Sequence, residues 1–293
     1  MKDKTIYALG FFDGVHLGHQ ALLAACRALA ESQGCRAGVV TFSSHPDALV
    51  QGAAPKLITG ASDRRRLLQS FGMETVRELP FDKEMMTMPW QDFFQLLLTR
   101  YHAAGIVCGH DFRFGNRGAG NAALLQKACA EQGIPCTVVP EQKLGAITVS
   151  STHIRMLLET GDMETAVSFL GHPHVLTGKV VSGRHIGRTI GVPTANLELP
   201  EYLAQPKLGV YAGRACVDGH CYPAVTNIGS RPTVGGHQVR AESWLLGFDG
   251  DLYGKDVTLE FYKFLRPEEK FASLDALKAQ IQADAAETYR LFR

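Results

Sequence analysis

No C-x-x-C pair occurs among the seven cysteines (26, 35, 108, 129, 136, 216 and 221) of this 293-residue chain, and their number is odd. Neither a disulfide framework nor a zinc knuckle is indicated, so the cysteines are expected as buried thiols in a reducing compartment. No apolar run approaches the roughly 18 residues that a membrane span needs. The opening MKDKTIYAL is too short and too polar at its front for a signal peptide. A cytoplasmic protein without a membrane partner is expected. An excess of charge of one sign is also missing, because 30 Lys and Arg face 29 Asp and Glu. That balance leaves no broad basic footprint for nucleic acid, and anionic ligands must be held locally. There is no internal repeat and no low-complexity segment. The run Arg64–Arg66 reads as a solvated helix start rather than a binding patch.

What the chain has is apolar content, 45% hydrophobic residues, and a length that suggests two domains of ordinary size. Up to about residue 170, short apolar runs (TIYALG, CRAGVVTF, TVRELPF, GIVCG, PCTVVP) alternate with helical patterns such as HQALLAACRALAESQG, SDRRRLLQSFG and WQDFFQLLLTRY. Strands separated by crossover helices argue for a parallel sheet covered on both faces, a Rossmann-like α/β domain. After GHPHV the texture changes to strand-like runs separated by Gly, Pro and Asp turns, with helical periodicity returning only in SLDALKAQIQADAAETYRLF. That pattern suggests a closed antiparallel β-barrel with one terminal helix. The junction is drawn near 171–177, giving domains 1–172 and 173–293.

The stretch GFFDGVHLGHQALL (10–23) follows the first predicted strand, at the carboxyl edge where α/β sheets bind ligands. Gly10, Phe11, Asp13, Gly14 and Gly18 are its candidate nucleotide contacts. Glycine lets backbone approach a ligand, and the following helix start offers N–H groups to phosphate. His16 and His19 could donate hydrogen bonds to phosphate oxygens, act as acid or base, hold a metal, or simply cap the helix. No third ligand of regular spacing favours metal. In VSSTHIRMLL (149–158), Ser151 or Thr152 is a good N-cap, and Arg155 one turn in can present its fork to phosphate.

In GRTIGVPTANLEL (187–199), Thr194 and Asn196 alternate with Ala195, so their side chains share one face. A hydroxyl and an amide oxygen there suit Mg²⁺, which takes oxygen ligands and keeps waters and phosphates as the rest of its shell.

These motifs carry a resemblance over essentially the whole chain. HLGH resembles the H-x-G-H signature of the nucleotidylyltransferase superfamily, which class I aminoacyl-tRNA synthetases share in related form. SSTHIR resembles the S-S-T-x-I-R motif of bacterial FAD synthetases, and a lysine-rich K-M-S-K-S loop of the synthetase kind is not found. TFSSHPDALV (41–50) and GHDFRFGNRG (109–118) are similar to further segments of that family, with Asp111 a candidate nucleotide or flavin contact and a rigid turn the alternative reading of His45–Pro46. PTAN is similar to the flavokinase signature, and GVYAG, NIGSRPT, AESWLLGFDGDLYG and FLRPEEKF follow in flavokinase order.

The chain thus resembles the bacterial bifunctional riboflavin kinase/FAD synthetases. The resemblance implies that Glu242 is the catalytic base of riboflavin phosphorylation, with Mg²⁺ at Thr194 and Asn196, ATP along Gly178 and Lys179, and the flavin fixed by Arg266. It implies FMN adenylylation at His16, His19, Ser151, Thr152 and Arg155. ATP, riboflavin and FMN are the implied small-molecule partners of a monomer or weak oligomer. Trp244, Gly247 and Val234 depart from residues common in the family, which bears on flavin affinity rather than on the phosphate chemistry. Alternative readings are a nucleotidylyltransferase of another phosphorylated substrate and a flavin-binding protein with reduced catalysis.

Overall fold

The structure is a computed structural model that describes residues 4–181, 194–233 and 236–292. It divides into two compact units. The first comprises Met1–Pro55 and Arg64–Ser150, the second Lys56–Asp63 and Ser151–Arg293.

In the first unit the chain runs β1 (Thr5–Leu9), α1 (Leu17–Gln33), β2 (Arg36–Phe42), α2 (Asp47–Val50), α3 (Ala61–Ser70), β3 (Thr75–Leu79), α4 (Lys83–Thr87), α5 (Trp90–Thr99) and β4 (Ala103–Gly109). Short strands β5 (Arg113–Phe114) and β6 (Gly120–Asn121), helix α6 (Ala122–Glu131), β7 (Cys136–Val139) and the small pair β8 (Lys143–Leu144) and β9 (Ile147–Thr148) complete it. The main sheet has the order β3-β2-β1-β4-β7, and every pairing in it is parallel.

All five residues of β1 are buried, because both faces of the sheet are covered. Ile6 and Ala8 pack with Leu23, Cys26 and Ala30 of α1. The alternate residues Tyr7 and Leu9 pack with Phe93, Leu97 and Leu125. The two-residue period of the strand thus feeds two cores. Helix α1 ends at Gly34, whose φ of 60° and N–H bonds to Ala30 and Glu31 carbonyls make the left-handed cap that glycine favours.

The second unit begins with α7 (Ser151–Thr160) and α8 (Met163–Leu170), followed by β10 (His174–Val181), β11 (Ala195–Glu198), β12 (Gly209–Val217), β13 (His220–Thr233), β14 (Gly236–Leu245), β15 (Asp256–Arg266) and α9 (Leu274–Leu291). The strands close a barrel in the order β10-β11-β14-β13-β12-β15. One parity of side chains is fully buried, including Leu176, Leu197, Tyr211, Ala241 and Leu259, and fills the barrel as small closed barrels require. The polar pair inside, Thr226 and Ser243, is satisfied by a hydroxyl–hydroxyl bond of 2.9 Å.

Helix α9 packs on β12 and β13. Ala285 meets Val210, Val225 and Leu246 on the barrel's outer face. Segment Lys56–Asp63 belongs to this unit through two links. Leu57 bridges Leu203, and both Asp63 carboxylate oxygens accept from Thr177, its N–H at 3.1 Å and its hydroxyl at 2.6 Å.

Helices α7 and α8 therefore pack with the barrel, whereas sequence texture alone marks the change of period at 171–177. Two expectations change. Only Cys26, Cys108 and Cys129 are buried free thiols, while Cys35 and Cys136 are half-buried and Cys216 is disulfide-bonded to Cys221. The β12–β13 hairpin sets these two directly opposite, because Asp218 and Gly219 both take the positive φ of a tight primed turn. Arg64, expected in solvent, is 1% exposed.

Candidate active sites

The loop from β1 to α1 is built under backbone strain. Phe12 and Val15 have φ of 61° and 41°, rare for residues with a β-carbon, and Gly14 has 79°. The turn buries Phe12, Asp13 and Val15 and delivers His16 to the N-cap of α1. There its Nδ1 accepts from the His19 N–H at 3.3 Å. A neutral His16 therefore carries its proton on Nε2, directed away from the helix.

The His19 ring stacks on His16 at 3.7 Å between centroids and 14° between planes. Gly18 suits this arrangement, since a β-carbon there would stand 3.2 Å from Cε1 and Nδ1 of His16 and push the ring aside by a few tenths of an ångström. Gly10 likewise leaves room for the Phe12 ring. The bond that caps α1 also fixes the His16 ring.

The His19 pKa is held well below the usual imidazole range, first by burial and then by the charges of His16 and Arg64. His19 is neutral at physiological pH. Phe11 lies under the Arg64 guanidinium, 4.3 Å from it, and edge-on to His45 at 4.6 Å. His45 itself accepts from the Asp47 N–H at 3.2 Å. Asp111 is exposed just beyond β4, folded back over Gly109.

Beside these groups the unit holds a cleft of about 720 Å³ lined by Phe42, Phe81, Met85, Phe112, Arg113 and Phe114, among others. Phe42 meets Phe81 edge-on at 5.0 Å, and Phe112 stacks on Phe114 at 5.4 Å. Its size and aromatic walls are those of a site for a large planar ligand.

In the second unit α7 starts at Ser151. Ser151 and Thr152 thus occupy its first turn and the N-cap position falls to Ser150, a correction to the expected cap. Arg155 is half-buried one turn in, on the helix whose Ile154, Leu157 and Leu158 are buried.

On the barrel, Glu242 stands opposite Asn196 on β11 and opposite Asn227 on β13. Directly opposed residues of antiparallel strands point to one face, so the three side chains form a row. The neighbouring row Ala195–Ser243–Thr226 is buried in the barrel, which puts Glu242 on the outer face. Asn196 is buried and its Nδ2 donates to the Thr194 carbonyl at 3.4 Å, leaving Oδ1 as the atom presented beside Glu242. Asn227 donates to Glu268 Oε1 at 3.0 Å.

Thr194 and Asn196 lie two apart in sequence, and a hydroxyl and an amide oxygen are donors of the kind that fit Mg²⁺, with Glu242 opposite Asn196. Among the described residues no three His, Cys, Asp or Glu side chains could hold a metal ion, so phosphates and water would complete its shell. Gly178 and Lys179 lie on β10, with Lys179 opposite Asp256. Arg266 is engaged by Asp284, whose carboxylate accepts from Nε and Nη2 at 2.9 to 3.2 Å. Val234 lies outside the described residues.

Residues 1–153 match the FAD synthetase family model and residues 170–292 match the riboflavin kinase model. Similar curated proteins named bifunctional riboflavin kinase/FMN adenylyltransferase include that of Listeria monocytogenes, 33% identical over 99% of this chain and 93% of its own. That of Escherichia coli K12 is 37% identical over 97% and 91%. The chain belongs to the bifunctional riboflavin kinase/FMN adenylyltransferase family. A solved structure described as a macrolide-efflux protein from Streptococcus pneumoniae has the same fold, with a TM-score of 0.88 and 30% identity over 99% of this chain and 95% of its own. Among the described residues no helix is long and apolar enough to cross a membrane.

As a member of this family the chain carries both an FAD synthetase and a riboflavin kinase domain. Sequence reasoning did not anticipate three features near the candidate site residues. Asn227 sits in the quoted NIGSRPT but only strand register brings it to Glu242. The aromatic cleft draws on residues from Phe42 to Phe114, and their convergence leaves no local signal. Arg64 was hidden because an arginine run on a helix reads as solvated.

Proposed function

We infer that the chain makes FMN from riboflavin and ATP at the barrel, and FAD from FMN and a second ATP at the site that includes the β1–α1 loop. The observation that carries this reading is the row Asn196–Glu242–Asn227, which gives the barrel a carboxylate beside an oxygen donor set. In the first reaction the terminal ribityl hydroxyl attacks the γ-phosphorus of ATP and Glu242 accepts its proton, so that the alkoxide character needed for attack develops without a free hydroxide. Thr194 and Asn196 would hold Mg²⁺, which when bound neutralises charge on the transferring phosphate. Gly178 and Lys179 lie along the ATP. Arg266, held by Asp284, fixes α9 over the barrel and acts on the flavin through that placement.

In the second reaction an FMN phosphate oxygen attacks the α-phosphorus of ATP and pyrophosphate leaves. The nucleophile is already an anion, so alignment and charge neutralisation are what the residues must supply. His16 offers its Nε2–H, His19 a neutral imidazole, and Ser151, Thr152 and Arg155 further donors. Gly10, Phe11, Asp13, Gly14 and Gly18 shape the loop, and Asp111 flanks the nucleotide. The flavin ring lies in the aromatic cleft. The supply of ATP places the chain in the cytoplasm, where it acts as a monomer or weak oligomer.

The test is to incubate the purified chain with ATP and Mg²⁺, plus riboflavin or FMN, and to separate the products. Glu242→Gln should abolish FMN formation and leave FMN-to-FAD conversion, and His19→Ala should do the reverse. Loss of both reactions in either folded variant would refute the division of labour.

A further inference from the structure

We propose that Arg64 is a phosphate-binding residue of the adenylylation site, its Nη1 arm reserved for an oxygen of a reacting phosphate; this rests on the second reaction proposed above. Arg64 heads α3 and is 1% exposed. Its Nη2 donates to the Phe42 carbonyl at the end of β2, at 2.8 Å, and its guanidinium lies on the Phe11 ring of the β1–α1 loop. Both contacts lie at the carboxyl edge of the sheet and aim the fork at the loop that carries His16 and His19.

The other arm is unmatched. Nη1 is buried with no hydrogen-bond partner among the described residues, and so is Nδ1 of His19. A buried guanidinium donor left without an acceptor is unfavourable, and such groups persist where a ligand completes them. Burial disfavours the Arg64 charge, and the buried Asp13 and the Glu78 carboxylate work against that effect, while the guanidinium in turn helps keep His19 neutral. A phosphate oxygen would offset the cost of burying the guanidinium and complete the fork, for which guanidinium geometry is suited. The two phosphate sources are the triphosphate of ATP and the phosphate of FMN.

The test uses the full chain and Arg64→Met, Arg64→Lys and Arg64→Ala. For Arg64→Met, kcat/KM for FMN adenylylation should fall about 100-fold or more, with riboflavin phosphorylation within twofold of the parent. A rise in KM for ATP alone identifies the triphosphate as the ligand, and a rise for FMN alone the flavin phosphate. Guanidinium ion should restore part of the rate to Arg64→Ala.

Without ligand, Arg64→Met should melt no lower than the parent, because the substitution removes a buried N–H donor that has no acceptor and the cost of burying the guanidinium. The rise in melting temperature that inorganic pyrophosphate gives the parent should be lost. Adenylylation within threefold of the parent, or an undiminished pyrophosphate shift, would overturn the proposal. If Arg64→Met does not fold, the same two readings on Arg64→Lys decide. A parent chain that makes no FAD would refute the proposed reaction, while the pyrophosphate shift would still decide Arg64.

Discussion

Replacing His174 tests how the barrel core tolerates protons. The ring is 0% exposed, neither nitrogen has a hydrogen-bond partner among the described residues, and Phe261 lies 5.8 Å away. Burial, and secondarily the charge of His172, pushes its pKa from 6.5 down to about 3. The folded state therefore binds fewer protons than the unfolded chain between those values. Its contribution is intact above pH 6.5, is lost as pH falls through that window, and levels off below about 3.

Linkage gives a loss of about 2 kcal/mol at pH 5 and only a few tenths at pH 7. His174→Leu removes the titration and the two unmatched nitrogens. In a Trp90→Phe background Trp244 is the sole tryptophan and reports on the barrel. Urea midpoints at pH 7.5 and pH 5 should fall by roughly 1 M more in the parent than in the His174→Leu variant. Equal pH dependence in the two proteins would refute the argument that His174 stays neutral in the core.

Gly18→Ala brings a β-carbon to 3.2 Å from the His16 ring; we expect FMN adenylylation to drop about tenfold while helix propensity raises stability by up to ~1 kcal/mol, a split read by comparing kcat with the melting curve. Asp284→Asn breaks the charge pair with Arg266 beneath α9, which should cost about 3 kcal/mol in urea unfolding. Cys216→Ser opens a disulfide that closes only a hairpin turn, and denaturation with and without reductant should show a loss of no more than about 2 kcal/mol.

The architecture was largely legible because its signals are local and periodic. Continuous apolar runs with crossover helices announced a parallel sheet, and β1 indeed divides Ile6 and Tyr7 between two cores. Short runs with Gly and Asp turns announced the barrel, including the Asp218–Gly219 turn. The candidate site was legible only where its residues are contiguous, as in HLGH, SSTHIR and PTAN.

The chain by itself therefore determined which residue types stand at the sheet's carboxyl edge and which alternate on a strand, since spacing along a backbone of fixed period settles both. Tertiary structure decided what meets across elements. The hairpin register joined Cys216 to Cys221, and strand order put Asn196 and Asn227 on either side of Glu242. The packing of α3 under Phe11 and Phe42 turned a surface-like arginine into a buried one. The physical reason is that burial and pairing depend on neighbours distant in sequence, and a local pattern carries no information about which distant side chain will fill the space beside it.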